Sequence, residues 1–256
     1  MKANVYSING EVKKEIELPA VFGMDTREDL VHKAFKAISL SMRQPYGSSP
    51  LAGTRRVGHN LGPNHGISRI PRLAGGSKGV LLASTVGGRS ALSPRSDKVL
   101  YKKINKKERK LAKLSAIAFT ANKDYVLNRG HRISEDVIDT LTFPVIVEDD
   151  LENITKAKDA VKILSDIGIY DDIIRSKDGK KIRAGRGKMR NRTYKQPKSI
   201  LVVGSSNEKL RAFSSLPGVE TASLNSLSIT KLAPGGIPGR LTLYTETAIK
   251  ELEGVN

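Results

Sequence analysis

Residues 41–96 read "SMRQPYGSSPLAGTRRVGHNLGPNHGISRIPRLAGGSKGVLLASTVGGRSALSPRS", and no other stretch limits the fold as strongly. The segment holds ten glycines, eight Arg or Lys and no acid. It sustains neither a helical nor a strand period. A run of this length without periodicity is uncommon inside a compact domain and marks either function or disorder. Cationic, glycine-rich chain buries too little apolar surface to offset its ordering entropy, which predicts disorder in the free protein. Against a plain solvated linker stand Ile67, Ile70, Leu73, Val80, Leu81 and Leu82, which favour a segment ordered by a partner. Its Arg43, Arg55, Arg56, Arg69, Arg72, Arg89 and Arg95, with Lys78, suit approach to phosphates, the arginines bidentately.

Two further stretches are strongly basic. Residues 98–113 carry eight Lys or Arg against Glu108, and residues 175–198 carry eleven against Asp178. The whole chain has 44 basic and 26 acidic residues, a formal net charge of +18 over 256 residues. Because the three stretches together exceed that total, the remainder is slightly acidic, as in an ordinary globular domain. The basic parts are therefore attachments or faces, and the imbalance predicts a polyanionic partner. A 38% apolar content suffices for a core, although Trp is absent. With no cysteine, disulfides and thiolate metal sites are excluded. The start "MKANVYSING" lacks the apolar run of a signal peptide, and no stretch reaches the roughly 18 apolar residues of a membrane span. A soluble, cytoplasmic chain without membrane contact is expected.

The flanks of the long segment read as helices. Residues 26–42 place Leu30, Val31, Ala34, Phe35, Ile38 and Met42 at helical spacing behind an Asp25 or Thr26 cap. In "NKKERKLAKLSAIAFTAN", Asn105 caps, Glu108 follows three residues on, and Leu111, Leu114, Ala118 and Phe119 form the buried stripe. Beyond Asn122, strands "YVLN", "FPVIVEDD", "SILVVGSS" and "RLTLYT" alternate with helices near residues 155–167, 207–213 and in "ETAIKELEG". That alternation predicts an α/β fold: a Rossmann-like, mostly parallel sheet flanked by helices, with a long inserted extended loop. The expected division is a body of residues 1–42 and 97–256, a loop of residues 43–96, and a second basic extension of residues 175–198 within the body.

"IRAGRGKMRNRTYKQPKSILVVG" superficially resembles a phosphate loop, but the glycines precede the strand and Lys188 is followed by Met189, the reverse of the nucleotide-binding order. What remains is a flexible cationic segment in which Lys181, Arg183, Arg186, Lys188, Arg190 and Arg192 meet phosphates and Tyr194 stacks on a base. "GGSKG" fits a hydrolase elbow around Ser77, yet the strand and helix that an elbow needs are missing. His59 and His65, like His32 and His131, have no Cys or close carboxylate to complete a metal set, so stacking on RNA or solvent exposure is expected. Glu148, Asp149 and Asp150 could hold magnesium beside a phosphate, but helix capping explains them more simply. "VVGSSNEKL" likewise offers a weak anion site with capping as the default.

"GTRRVGHNLG", "VGGRSALSPRS", "INKKERKLAKLSAIAFTAN", "RAGRGKMRNRTYKQPKSILVV" and "LAPGGIPGRLTLYTETAI" together resemble the archaeal and eukaryotic branch of the large-subunit ribosomal protein number four family, over nearly the whole chain. The resemblance implies an α/β body on the outer face of the large subunit and a loop reaching inward through ribosomal RNA. It implies that residues 58–79 hold the loop tip at the constriction of the nascent-peptide exit tunnel, with His59, Asn60, His65, Arg69 and Arg72 at that tip. Arg43, Arg89 and Arg95 would lie nearer its base. Expected partners are large-subunit ribosomal RNA, neighbouring large-subunit proteins and the nascent peptide, with a role in early assembly and no small-molecule substrate. No cofactor is expected, apart from structural magnesium accompanying the RNA. Two rivals are a free RNA chaperone and a nucleotide-processing enzyme on a Rossmann-like sheet; the enzyme needs an acid and base pair that the sequence does not show.

Overall fold

The computed structural model describes residues 1–254. Strand β1 (Lys2–Tyr6) pairs antiparallel with β2 (Val12–Glu17). A helical turn, Ala20–Gly23, leads to α1 (Glu28–Ser41). The chain resumes regular structure at α2 (Lys106–Ala118), α3 (Lys123–Asn128) and α4 (Glu135–Ile138). Then follow β3 (Val145–Val147), α5 (Ala157–Asp166) and α6 (Asp171–Asp178). A small hairpin pairs β4 (Lys181–Ile182) with β5 (Tyr194–Lys195). The rest comprises β6 (Leu201–Gly204), α7 (Arg211–Ser214), β7 (Glu220–Ser223), α8 (Ile229–Leu232), β8 (Thr242–Thr245) and α9 (Glu246–Glu253).

Six strands form one sheet in the order β2-β1-β3-β8-β6-β7, parallel throughout except for β2. Register places Val5 opposite Ile146, Ile146 opposite Tyr244, and Tyr244 and Ala222 opposite Val203, so one row crosses five strands. That row packs on Val31 and Ala34 of α1, Leu114 and Ile117 of α2, and Ile249 and Leu252 of α9. On the other face Val145, Val147, Val202 and Leu243 meet Ile163 and Leu164 of α5, Ile173 of α6 and Phe213 of α7. Central strands β3, β6 and β8 are buried at every position; β3 (VIV) and β6 (LVVG) accordingly read as apolar runs, whereas β8 (TLYT) also buries the hydroxyls of Thr242 and Thr245.

Two compact units emerge: Met1–Ser39 with the chain from Lys103 onward, and Leu40–Lys102. Past the end of α1, the second unit consists of turns and two isolated antiparallel bridges, His59 to Arg72 and Arg72 to Gly79.

Several expectations need correction. "YVLN" is helical, within α3, because the Asn122 side chain accepts from Asp124 N at 3.1 Å and caps the turn. Met42 lies beyond the end of α1 and is 75% exposed. Leu111 is 45% exposed, whereas Leu114, Ala118 and Phe119 are buried as expected. The helix expected over residues 207–213 is only the short α7. Strands β1, β2 and β7 and helix α6 were not foreseen. Residues 175–178 are therefore the end of a helix rather than flexible cationic chain.

Candidate nucleic-acid interface

In the first unit the basic segment folds as the β4–β5 hairpin, with Ile182 opposite Tyr194 and a helical turn Arg186–Met189 at its tip. The hairpin closes through Arg183, whose Nε donates to Arg192 O at 3.1 Å and whose Nη2 donates to Tyr194 O at 3.3 Å. Its backbone amide also donates to Thr193 O at 2.8 Å. Arg183 thus organises the hairpin from within. Lys181, Arg186, Lys188, Arg190 and Arg192 are exposed and make no ion pair among the described residues. Five cations held without counter-charges on one small hairpin form a surface that favours an anionic polymer. Tyr194 is 58% exposed and carries Lys180 Nζ 4.6 Å from its ring centroid. An aromatic face beside a cation can stack on a base and meet the adjoining phosphate.

The ends of the basic segment are fastened to the body. Arg175 Nε donates to Asp172 Oδ1 at 2.8 Å and its Nη2 to Lys198 O at 2.9 Å. Lys198 pairs with Glu220. These two cations are structural, and the segment's charge count overstated what is available for a partner.

In the second unit, Arg43, Arg55, Arg56, Arg69, Lys78 and Arg89 are exposed and free of ion pairs among the described residues. Arg95 faces Asp97 at 3.9 Å, a weak exposed pair. His59, Asn60 and His65 are exposed, and Asn60 Oδ1 accepts from Gly62 N at 3.1 Å in a local turn. Arg72 behaves differently. Its backbone exchanges both hydrogen bonds with His59, at 2.9 and 3.0 Å, while its guanidinium donates to Ser77 O and, at 2.9 Å, to Ser68 Oγ. Val80 is buried above Gly58, where a Cβ would come within 2.4 Å of Val80 Cγ2. Glycine at 58 therefore permits a close crossing that knits residues 58–80 together. A separate concavity of about 540 Å³ lies among Ser48, Thr54, Arg89, Ser93, Arg95, Ser96 and Asp97, a hydroxyl-rich lining with two arginines and one carboxylate.

Other candidate motifs resolve into internal contacts. Ser77 lies in a turn between Leu73 and Lys78, with neither strand before it nor helix after it. Glu148 accepts from Ile8 N at 3.1 Å and pairs with Lys13 at 2.6 Å; Asp149 accepts from Thr247 N at 2.8 Å, at the start of α9. At the carboxyl end of β6, the place where an open α/β sheet would receive a phosphate, sits the Glu152 carboxylate. It accepts from Ser205 N at 2.7 Å and Ser205 Oγ at 2.5 Å and meets Lys209 Nζ at 3.1 Å. Burial pushes its pKa up, but the Ser205 bonds and Lys209 outweigh this and hold it below the ordinary value. Gly204 leaves the room: a Cβ there would lie 2.8 Å from Glu152 Oε1. His131 belongs to a buried network about Asp172 described below.

Along its full length the chain aligns with proteins of one family. The model of the ribosomal protein L4/L1 family matches residues 16–255. The chain belongs to that family. Similar relatives are the large ribosomal subunit protein uL4 of Thermoplasma volcanium, 63% identical over 255 residues that cover 100% of this chain and 98% of the relative, and that of Thermoplasma acidophilum, 60% identical with the same coverage. The uL4 protein of Methanocaldococcus jannaschii is 47% identical over 99% of this chain and 98% of its own. The L4 family is structural and non-enzymatic. Membership was legible from the basic motifs, whereas Lys180 beside Tyr194 and the internal roles of Arg72 and Arg183 were not, because ring contacts and backbone acceptors leave no spacing signal.

Proposed function

We propose that this protein is a structural constituent of the large ribosomal subunit that binds large-subunit ribosomal RNA through the β4–β5 hairpin and through residues 43–96. The observation that carries this reading is the set of exposed cations on the hairpin, Lys181, Arg186, Lys188, Arg190 and Arg192, without acidic partners among the described residues. Such a surface neutralises phosphates and binds by shape and charge, with no base-sequence code. Glycines in the second unit let backbone pass where bulkier residues would collide with RNA, and Arg43, Arg55, Arg56, Arg69, Lys78, Arg89 and Arg95 brace it there. In this reading the body keeps a Rossmann-like winding, residues 43–96 are an inserted loop, and its tip, with His59, Asn60, His65 and Arg69 outward, lines the nascent-peptide exit tunnel. Early subunit assembly, contacts with neighbouring large-subunit proteins and residence on cytoplasmic ribosomes follow from the same role. No protein-bound cofactor is needed, since magnesium would be held by the RNA.

Crosslinking mass spectrometry on purified large subunits tests this reading. RNA crosslinks are expected from both the second unit and the hairpin, and a crosslink from residues 58–79 to a stalled nascent chain is expected for the tunnel assignment. Loss of the chain from salt-washed subunits would overturn it and return the free RNA chaperone.

A further inference from the structure

We infer that the groove between the turn Ala20–Gly23 and helix α2 is a docking surface for an acidic, amphipathic helix of a partner protein. The inference goes beyond RNA binding and rests on different residues. Ala20, Val21, Met24, Leu111 and Leu114 line a hollow of about 390 Å³, and Lys107 and Lys110 form its edge. Positions 107, 110, 111 and 114 share one face of α2, so the two leucines and the two lysines stand side by side. Leu111 is 45% exposed on a helix whose other apolar residues are buried, leaving an aliphatic side chain available at the centre of the groove.

The lining selects the class of occupant. It offers aliphatic side chains but no aromatic ring, so bases have no stacking platform there and RNA would leave the apolar floor of the groove uncovered. Leucine-type side chains spaced along a helix fit such a groove, as in other helix-in-groove recognition. Charge selects further. Helix α2 carries Lys106, Lys107, Arg109, Lys110 and Lys113, and its one acid, Glu108, is held by Lys33 at 2.9 Å. Across Lys110 a second hollow of about 270 Å³ repeats the chemistry, with Ile38 and Ile229 beside Lys106, Arg109 and Lys113. An occupant bearing glutamates around its leucines is complementary; a basic one is repelled.

The test uses the full chain, methyl-labelled for NMR, and a synthetic 16-residue helix with leucines at i, i+3, i+4 and i+7 flanked by glutamates. Addition of this peptide is expected to shift the Leu111, Leu114 and Val21 methyl signals. Leu111→Asp is expected to weaken binding by about tenfold or more, whereas Leu92→Asp, at an exposed leucine of the other unit, leaves it unchanged. Lys107→Glu with Lys110→Glu should weaken the acidic peptide to a similar degree and allow a lysine-flanked version to bind instead. Because positions 107, 110 and 111 are exposed, unmoved core methyl signals serve to verify the fold of each variant. Four outcomes overturn the inference: no shift at about 1 mM peptide; equal binding of the two peptides to the wild type; displacement of the peptide from these methyls by a short RNA; or self-association of the chain that Leu111→Asp abolishes.

Discussion

Asp172 is fully buried yet retains its charge, because four donors converge on it: His131 Nδ1 at 3.0 Å, Arg132 N at 3.1 Å, Arg175 Nε at 2.8 Å and Ser199 Oγ at 2.8 Å. Burial alone would raise its pKa, but His131 and Arg175 hold the carboxyl far below the ordinary range. His131 is fixed on both sides, since its Nε2 accepts from Leu241 N at 3.2 Å. The ring is thereby neutral, and burial, reinforced by Arg129 and Arg175, lowers its pKa despite Asp172. Protonation would sacrifice the Leu241 bond and place a cation beside two guanidinium groups. A histidine with a depressed folded pKa takes up its proton more readily when unfolded, so its contribution is complete above about pH 6.5 and declines below it. Asp172 adds a second decline below about pH 4. Urea midpoints measured from pH 8 to pH 5 should therefore fall, and His131→Asn should flatten that fall while lowering the unfolding free energy at pH 8 by roughly 1–3 kcal/mol for the unpaired Leu241 N–H. Parallel curves for wild type and variant would refute this role. Arg240, buried with Nε on Ser199 O at 2.8 Å, Nη1 on Glu220 at 2.5 Å and on Lys231 O at 2.7 Å, is a second fixed charge; Arg240→Lys loses the planar fork, since one ammonium cannot reach all three acceptors, and should lower the thermal midpoint.

At the scale of elements, the hairpin separates arginines that build from arginines that reach out. Arg186→Ser, Arg190→Ser and Arg192→Ser combined should leave β4 and β5 paired and lower the salt slope of RNA binding by about 2 to 3, one phosphate contact each. Arg183→Ser should instead loosen the hairpin, seen as faster exchange of the backbone amide of residue 183, which donates to Thr193 O at 2.8 Å in the closed hairpin; an unchanged slope in the triple variant would remove the hairpin from the interface. The β6 turn makes another prediction. Glu152→Ala should destabilise the body by roughly 1–3 kcal/mol, because Ser205 and Lys209 lose their acceptor, and added phosphate should restore part of the loss in the variant alone. If phosphate acts equally on the wild type, the carboxylate is not filling an anion site. Strands β3 and β6 were legible because burial on both faces demands continuous apolar sequence, and β8, "TLYT", because β-branched and aromatic residues favour a strand. Edge strand β2, "VKKEIE", was not, since its exposed alternation of charges carries no core signal. "YVLN" has strand propensity but lies behind a capping Asn122, and the local cap prevailed. The site was legible as charge, but which arginines bend inward depends on carbonyl positions that only the folded chain supplies.

On the scale of the whole molecule, composition is partitioned between two units with different means of stability. The unit containing the sheet has two apolar clusters, one on each face, and supplies nearly all buried hydrophobic residues. The unit Leu40–Lys102 has Val80 as its buried hydrophobic residue and relies on turns, reciprocal backbone bonds and the inward guanidinium of Arg72. Within that unit the outgoing and returning limbs already meet, with Ser48 N donating to Pro94 O at 3.1 Å. A short bridge can therefore span them at little loop-closure cost, because that cost grows only logarithmically with length. Replacing residues 49–93 by four Gly-Ser residues should leave the thermal midpoint of the body within about 2 °C, as expected when the deleted chain contributes under about 1 kcal/mol to it. The same variant should lose the salt-dependent RNA affinity carried by Arg55, Arg56, Arg69, Lys78 and Arg89 while keeping that of the hairpin. A variant that unfolds would show the body depends on the excised chain, and one that folds with undiminished RNA affinity would assign binding to the hairpin alone.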